Sequence, residues 1–229
     1  TTDSMTMAGV VKQYGVAEAC ALSLAAGSDQ DICWSDDGAF VYFTADGPNG
    51  DTAFYAVPFL GGDVTLLYDR EGNDRFLDVQ YYQGGSVLWV NDVDDATNPG
   101  GYWEIHEGIG GFNPQRYLDP DHSANVSNER FPVWSHTVRY GVDCAWTQDR
   151  QAGNSMIYVR RQSVIENLVS GHLPCFNPLS GDVMAFMRPS PTFGYDIMTI
   201  SMQQDSEPEL LYRDETTTLG LAWGRTGLI

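Results

Sequence analysis

The fold of this chain is decided by residues 31–69, which read DICWSDDGAFVYFTADGPNGDTAFYAVPFLGGDVTLLYD. Four short apolar segments, rich in aromatic and β-branched residues, are separated by turn residues at 36–38, 47–51 and 61–63. Asp-Gly and Asn-Gly pairs of this kind favour tight hairpin turns, because glycine adopts positive φ without strain. The pattern predicts four antiparallel strands in one small sheet, and such a sheet needs further sheets to cover its faces.

Weaker copies of this pattern recur along the rest of the chain. The equivalent positions lie 46, 54, 42 and 47 residues apart and are occupied by Trp34, Gln80, Trp134, Phe176 and Trp223. The third predicted strand of each copy also matches the others, at 53–57, 102–106, 156–160 and 195–199. A repeat of about 40 to 50 residues is typical of the four-stranded blades of a β-propeller, in which sheets stack radially around a channel. The sequence therefore predicts an all-β chain of four-stranded antiparallel blades.

The recurring pattern resembles the WD40-like repeat of the TolB-type β-propellers. In this pattern an apolar residue, Trp or Phe, Ser or Asn, two variable residues and Gly precede an apolar strand. Relatives of that family include the propeller domains of prolyl-oligopeptidase-type peptidases. The resemblance covers nearly the whole chain, is strong in the first and fourth copies and is weak in the second, where Gln80 stands in place of Trp. It implies the fold and leaves the activity open, because this architecture hosts scaffolds, binders and enzymes alike.

The blades are predicted at about 31–69, 74–118, 129–168 and 172–213. Residues 219–229 and 1–27 are interpreted as the two halves of a composite closing blade. Such a blade would make the ring five-bladed, place all 229 residues in one domain and remove two exposed sheet edges. The alternative is that the chain is a fragment of a six- or seven-bladed ring.

The composition favours a folded, acidic protein. A hydrophobic share of 42% and an aromatic share of 12% argue against disorder. The formal net charge is −19, so nucleic acid phosphates and anionic membrane surfaces are repelled. No run approaches the ~20 apolar residues that a bilayer span requires. Nucleic acid and membrane insertion are therefore excluded, while cations, basic partners and plain solubility remain.

The cysteines and one asparagine indicate little chemistry of their own. Cys20, Cys33, Cys144 and Cys175 show no C-x-x-C spacing, so a zinc site is not expected. Each lies in an apolar, strand-like run, where a buried free thiol is the ordinary interpretation. In an oxidising compartment, Cys20 and Cys33 are the pair nearest in sequence for a disulfide. Asn125 begins an Asn-Val-Ser glycosylation sequon.

Polar residues stand where the innermost strand of each predicted blade begins. They are Asp31, Arg75, Asp78, Glu129, Arg130 and His172. Because innermost strands line the channel, these side chains are predicted to meet at one mouth and bind a small ligand or sugar. Five-bladed glycoside hydrolases place three carboxylates around such a mouth, and Asp31, Asp78 and Glu129 match that number. The alternative is that the charges cap strand ends and form ion pairs.

Two connections are longer than hairpins need. They cover residues 91–101 and 119–128, and loops of this length are where a propeller tends to place its contacts. Asp92, Asp94 and Asp95 in the first connection could offer oxygen ligands to Ca²⁺, although the spacing is not that of an EF-hand. No other metal or cofactor is expected.

Catalytic motifs are missing from the sequence. It contains no G-x-S-x-G elbow, no P-loop and no G-x-G-x-x-G that opens a helix. The hypothesis is a non-catalytic recognition or scaffold domain, extracellular or periplasmic, that binds a protein or carbohydrate through one face of the ring. Two alternatives stay open: a glycan-active enzyme that uses Asp31, Asp78 and Glu129, and a subunit of a larger extracellular assembly.

Overall fold

The structure is a computed structural model. It describes residues 30–34, 38–69, 72, 74–80, 86–92, 104–109, 115–116, 128–135, 140–149, 154–191, 194–214, 221, 223–224 and 227–228. In this part of the chain the regular elements are all β-strands, and no helix long and apolar enough to cross a membrane is found.

Eighteen strands are described. They are β1 Gln30–Trp34, β2 Phe40–Asp46, β3 Thr52–Pro58, β4 Thr65–Tyr68, β5 Asp74–Gln80, β6 Ser86–Asn91, β7 Glu104–Ile109, β8 Gln115–Arg116, β9 Asn128–Trp134, β10 Val142–Asp149, β11 Ser155–Arg161, β12 Val164–Ser170, β13 His172–Phe176, β14 Val183–Pro189, β15 Tyr195–Ser201, β16 Glu209–Asp214, β17 Trp223–Gly224 and β18 Gly227–Leu228.

The first sixteen strands form four antiparallel sheets of four strands, each paired in chain order. We name them blade 1 (β1–β4), blade 2 (β5–β8), blade 3 (β9–β12) and blade 4 (β13–β16); β17 and β18 form a separate hairpin. The predicted all-β fold of four-stranded antiparallel blades is confirmed. The number of blades in the ring stays a prediction. So does the composite closing blade, because residues 1–27 lie outside the described part of the chain.

The innermost strands of successive blades contact one another, β1 against β5, β5 against β9 and β9 against β13. Contacts of this kind are expected when sheets are arranged around a common axis. We call the end of the ring at which the innermost strands begin the mouth. Because each blade is antiparallel, its second strand ends at the mouth and its third strand begins there.

Blade 1 shows how the turn residues and apolar runs produce a blade. Gly38 and Gly50 precede β2 and β3 at φ values of +67° and +91°, a conformation that glycine adopts without strain. Strand β3 is buried at every position from Thr52 to Val57. Because both faces of such a strand are covered, its sequence is a nearly continuous apolar run and not an alternation of apolar and polar residues.

Every innermost strand carries one extra residue relative to its neighbour. The register shifts between Gln30 and Ile32, Arg75 and Asp78, Arg130 and Val133, and His172 and Cys175. In β9 and β13 the shift contains Phe131 and Leu173, both at φ +53°, and each is followed by proline. A β-bulge of this kind bends the strand and changes the direction of its side chains.

The bulges correct one equivalence drawn from the sequence. Trp134 lies four residues after Arg130, the last paired residue before the bulge of β9. Phe176 likewise lies four residues after His172 in β13. The residue four positions after Arg75 in β5 is Val79, so the equivalent of Trp134 and Phe176 is Val79 and not its neighbour Gln80. An aromatic residue marks the position in the other blades, and valine gives no such signal.

Among the described residues, two hydrophobic core clusters lie between blades and a third lies within blade 1. One cluster packs Leu88, Val90 and Ile105 of blade 2 against Trp134, Cys144, Trp146 and Tyr158 of blade 3. A second packs Ile157 and Val159 of blade 3 against Met184, Phe186 and Ile200 of blade 4. Trp89, Trp134 and Trp146 are fully buried and pack in the core. A buried aromatic side chain of this size covers roughly 150–250 Å², so these clusters dominate the cohesion between blades.

An arginine links blade 2 to blade 3. The Nε atom of Arg160 in β11 donates to both carboxylate oxygens of Asp143 at 2.9 Å, and its Nη1 lies 3.2 Å from Oε2 of Glu107 in β7. The guanidinium also lies 5.7 Å from the centroid of the Trp134 ring. The side chains of Arg160, Asp143 and Glu107 are only 16%, 19% and 23% exposed. These charges are therefore largely desolvated and depend on one another.

Gly171 alone connects β12 to β13, and so connects blade 3 to blade 4. Its φ is +157°, and a Cβ at this position would lie 2.5 Å from Cδ2 of Phe186 and 2.8 Å from the carbonyl oxygen of Met187. Its N–H donates to the carbonyl oxygen of Ser155 at 3.0 Å. The crossing between the two blades thus leaves no room for a side chain.

Cys144 and Cys175 are free thiols. Cys144 is buried and Cys175 is half-buried. Burial raises the pKa of the Cys144 thiol, which keeps it protonated and unreactive. Cys20 lies outside the described residues, so a disulfide between it and Cys33 stays a prediction.

Candidate functional site

The backbone places three of the predicted site residues at one register position. Arg75, Arg130 and His172 each directly precede the bulge of their innermost strand, in blades 2, 3 and 4. Because these strands are neighbours around the channel, the three positions lie side by side at the mouth. The side chain of Arg75 lies outside the described residues, and its role stays a prediction.

The three candidate catalytic carboxylates do not share one level. Glu129 lies one residue before Arg130 and so before the bulge of β9, Asp31 lies inside the bulge of β1, and Asp78 is the first paired residue after the bulge of β5. At about 3.3 Å per residue, Asp78 lies roughly 10 Å further along its strand than Glu129. The side chains of Asp31 and Asp78 are outside the described residues, so their participation in a site stays a prediction.

Glu129 is held between blades. Glu129 is only 2% exposed, and its Oε2 accepts a hydrogen bond of 2.7 Å from the backbone N–H of Ile105 in β7. Its partner across the sheet, Gln148, is also buried. A buried carboxylate that satisfies a neighbouring blade's N–H contributes to the alignment of the blades, because leaving either group alone is costly. This contact supports a structural role for Glu129.

Arg130 and Asp149 form an ion pair at the rim of the mouth. Nε of Arg130 lies 3.4 Å from Oδ2 of Asp149, and the two side chains are 38% and 34% exposed. The other carboxylate oxygen of Asp149 accepts a hydrogen bond of 2.7 Å from the hydroxyl of Ser155. Asp149 ends β10 and Ser155 begins β11, so the hydrogen bond between them closes this hairpin at the mouth. Both charged groups remain accessible to a partner.

His172 lies beside this pair at the start of blade 4. Its ring packs edge-on against Tyr195, with the centroids 5.0 Å apart and the planes at 80°. Burial lowers the pKa of His172, and the negative charge of Asp149 opposes that effect in part. The imidazole is therefore neutral at pH 7 and offers both a hydrogen-bond donor and an acceptor at the mouth.

We expect His172 to reduce stability as the pH falls below about 6.5. Since its pKa is lower in the folded protein, the unfolded chain binds the proton more readily, and protonation favours unfolding. The penalty is absent above the unfolded pKa of 6.5 and grows as the pH falls towards the folded value. Denaturant unfolding measures the free energy of unfolding at about pH 8 and about pH 5.5. The loss between these two pH values should be smaller for His172→Gln than for the unmodified protein. Equal losses in both proteins would contradict this.

Blade 4 adds a second ion pair at its mouth end. Arg213 donates from Nε and Nη2 to the two carboxylate oxygens of Asp196 at 2.8 and 3.1 Å. These bonds hold the pKa of Asp196 below its usual value. Arg188 donates from Nε to the carbonyl oxygen of Ser170 at 3.2 Å, which ties blade 4 to the last strand of blade 3. The polar rim thus continues from Arg130 across both blades.

Sequence reasoning missed Asp149, Ser155, Tyr195 and the Asp196–Arg213 pair. The signal was available in the antiparallel order of a blade: the end of each second strand and the start of each third strand return to the end where the first begins. Applied to β10, β11 and β15, that rule places Asp149, Ser155, Tyr195 and Asp196 at the same end as Arg130 and His172. Arg213 lies there because the fourth strand of a blade also ends at the mouth.

The other candidates are only partly described. Asp92 directly follows β6 and is half-buried, while Asp94, Asp95 and Asn125 lie outside the described residues. Among the residues that the structure describes, no group of three His, Cys, Asp or Glu side chains is placed to hold a metal ion. Calcium binding and glycosylation stay predictions.

The strand ends that flank both long connections lie at the mouth. The segment 92–103 joins the end of β6 to the start of β7, and the segment 117–127 joins β8 to the start of β9. In an antiparallel blade these strand ends lie at the same end of the sheet. The two connections predicted to carry contacts therefore leave and re-enter the fold beside Arg130.

The chain matches no protein-family model and no curated protein. Among solved structures it is similar to a nidogen/laminin complex, with a TM-score of 0.66 and 14% identity over 90% of this chain and 73% of that one. It is similar to TolB from Acinetobacter baumannii, with a TM-score of 0.65 and 13% identity over 88% of this chain and 47% of that one. A puromycin hydrolase gives a TM-score of 0.64 and 14% identity over 89% of this chain and 35% of that one.

The chain thus spans about half of the TolB structure and about a third of the puromycin hydrolase. At these identities the similarity establishes the fold alone. Together with the four described blades, it shows that the chain has the TolB-like β-propeller fold.

Proposed function

We propose that this chain is a non-catalytic recognition or scaffold β-propeller that binds a protein or carbohydrate partner through the mouth. The observation that carries the proposal is the contrast between two neighbours in β9. Glu129 is buried against blade 2, whereas Arg130 remains partly exposed with Asp149 at the rim. A rim of exposed polar groups suits recognition, while the burial of Glu129 leaves it poorly placed to attack a glycosidic bond.

A protein partner is supported by one of the similar structures, a nidogen/laminin complex. A puromycin hydrolase has a similar fold, so the choice between binding and catalysis rests on the residues at the mouth. A glycosidase needs two carboxyl groups about 5 to 9 Å apart on either side of the scissile bond. The different strand levels of Asp78 and Glu129 favour binding over that reaction. An extracellular or periplasmic location, and membership of a larger assembly, are part of the same proposal.

The test compares three variants on one panel of immobilised glycans and secreted proteins, read by surface plasmon resonance. In the first variant, residues 94–99 are replaced by two glycines; the second is Arg130→Ala and the third is Asp78→Asn. We expect the shortened loop and Arg130→Ala to weaken binding by about tenfold, since each removes a contact at the mouth. We expect Asp78→Asn to leave binding within about twofold.

Turnover of the glycan panel is measured on the same proteins. Hydrolysis by the unmodified chain that disappears in Asp78→Asn would establish the glycosidase in place of the binder. A panel with no bound member, or a bound member that the loop and Arg130 variants hold as well as the unmodified chain, would also overturn the proposal.

A further inference from the structure

The outermost strand of blade 4 exposes a continuous apolar run. Leu210, Leu211 and Tyr212 of β16 are 52%, 53% and 60% exposed, and no described strand pairs with the free edge of β16. Strand β16 carries one extra residue relative to β15, at Leu211. The three side chains are consecutive, with no charged residue between Glu209 and Arg213. Large apolar side chains gathered on an accessible edge are typical of a surface that another chain covers.

The corresponding strand of blade 3 is built differently. Strand β12 is also an outermost strand, but Glu166 and Asn167 interrupt its apolar residues, and Glu166 is paired with Arg161 at 3.1 Å. Charged and polar residues in the middle of an edge strand discourage another strand from joining it. Blade 4 lacks this protection, and three consecutive large apolar side chains on β16 are each more than half exposed. Strand β4 of blade 1 carries the same Leu-Leu-Tyr run, with Leu66 43% exposed.

An acidic cleft adjoins the start of β16. It has a volume of about 350 Å³ and is lined by Val183, Thr199, Ser201, Ser206, Glu207 and Glu209. The Ser206 hydroxyl donates to the carbonyl oxygen of Gln203 at 2.8 Å, which leaves its lone pairs available to accept. Neither Glu207 nor Glu209 has an ion-pair partner among the described residues. The cleft therefore offers acceptors and negative charge, which suit an ammonium or guanidinium group.

We propose that the β16 edge and this cleft form a docking surface for an extended segment of another protein that carries a lysine or arginine beside apolar residues. The cation occupies the cleft at Glu207 and Glu209, and the apolar side chains cover Leu210, Leu211 and Tyr212. Charge selects this occupant. A chain with a net charge of −19 attracts a basic segment and repels a second copy of itself. Since the β15–β16 turn lies at the end of blade 4 opposite the mouth, the cleft is separate from the site proposed above, while the β16 edge runs from the cleft towards Arg213 at the rim.

The test uses a fluorescein-labelled nine-residue peptide with two lysines at one end and leucine, valine and threonine in the rest. Fluorescence polarisation at low ionic strength should show saturable binding to the full chain, and added salt should weaken it. A peptide with glutamates in place of the lysines, and a peptide with serines in place of the apolar residues, should each bind about tenfold more weakly.

Two double variants of the protein should each weaken binding of the lysine peptide by about tenfold. The first is Glu207→Gln with Glu209→Gln, and the second is Leu211→Ser with Tyr212→Ser. Val164→Ser on β12 is the matched control, because Val164 is 58% exposed on the corresponding strand of blade 3. It and Arg130→Ala at the mouth should leave affinity within about twofold. Circular dichroism and thermal unfolding confirm that these variants are folded, as expected for exposed positions.

Three results would overturn the proposal: no saturable binding of the lysine peptide, equal binding of the glutamate peptide, or full affinity in both double variants. Self-association that light scattering detects in the unmodified chain and not in the Leu211 and Tyr212 variant would assign the surface to a second copy instead.

Discussion

Replacing Gly171 with alanine is expected to lower the free energy of unfolding by about 3 kcal/mol or more. Two effects combine. The backbone at φ +157° is one that residues with a side chain rarely adopt, and the new Cβ would lie 2.8 Å from the carbonyl oxygen of Met187. That oxygen belongs to the backbone of β14, so relief requires the strand to move. Equilibrium unfolding in urea, followed by tryptophan fluorescence, measures the change.

Gly38→Ala is the matched control for this substitution. Gly38 also has positive φ, at +67°, but no atom lies within 4 Å of the position that a Cβ would take. The control therefore carries the conformational cost without the collision, and we expect it to cost about 1 kcal/mol. Equal losses at the two glycines would show that space at the junction of blades 3 and 4 is not limiting.

Replacing Arg160 with methionine is expected to cost about 3–5 kcal/mol. The substitution keeps much of the apolar length of the side chain but removes the guanidinium that binds Asp143 and Glu107. Two poorly exposed carboxylates on neighbouring blades would then face each other without a counter-charge. The same urea unfolding measurement, made at neutral pH, gives the loss.

Arg130→Met provides the comparison, because Arg130 and Asp149 are 38% and 34% exposed and their ion pair is screened by water. We expect that variant to lose less than about 1 kcal/mol. Arg160→Lys should recover only part of the loss, since an ammonium cannot match the forked geometry of the guanidinium. An Arg160→Met variant no less stable than Arg130→Met would refute the interpretation of this cluster as a link between blades.

The strands were predictable because each is bounded by residues whose chemistry is local. Gly38 and Gly50 mark turns that only glycine forms easily, and the run Val87–Val90 around Trp89 is entirely apolar. Burial of the tryptophans follows from the same pattern, since a propeller strand is covered on both faces. Local signals of this kind are carried by the sequence itself.

The details of the mouth depend on contacts between blades, which local patterns do not encode. Glu129 and Arg130 are adjacent in the sequence, yet one is buried against Ile105 and the other lies at the rim. Strand alternation separates them, but only the position of the bulge after Arg130 decides which of them faces the neighbouring blade. Gln80 was paired with the wrong position because the true equivalent, Val79, carries no aromatic signal. Asp149 was missed because its importance comes from β9, which lies about twenty residues earlier in the chain.

Two of the packed clusters straddle the boundaries between blades 2 and 3 and between blades 3 and 4. A blade separated from its neighbour would therefore open half of a cluster to water on each side of the break. Chains of this kind behave as arrays with strong nearest-neighbour coupling, in which an isolated unit is the unstable species. Blades 2, 3 and 4 should accordingly melt together as one cooperative block, and no one of them should persist as a folded intermediate.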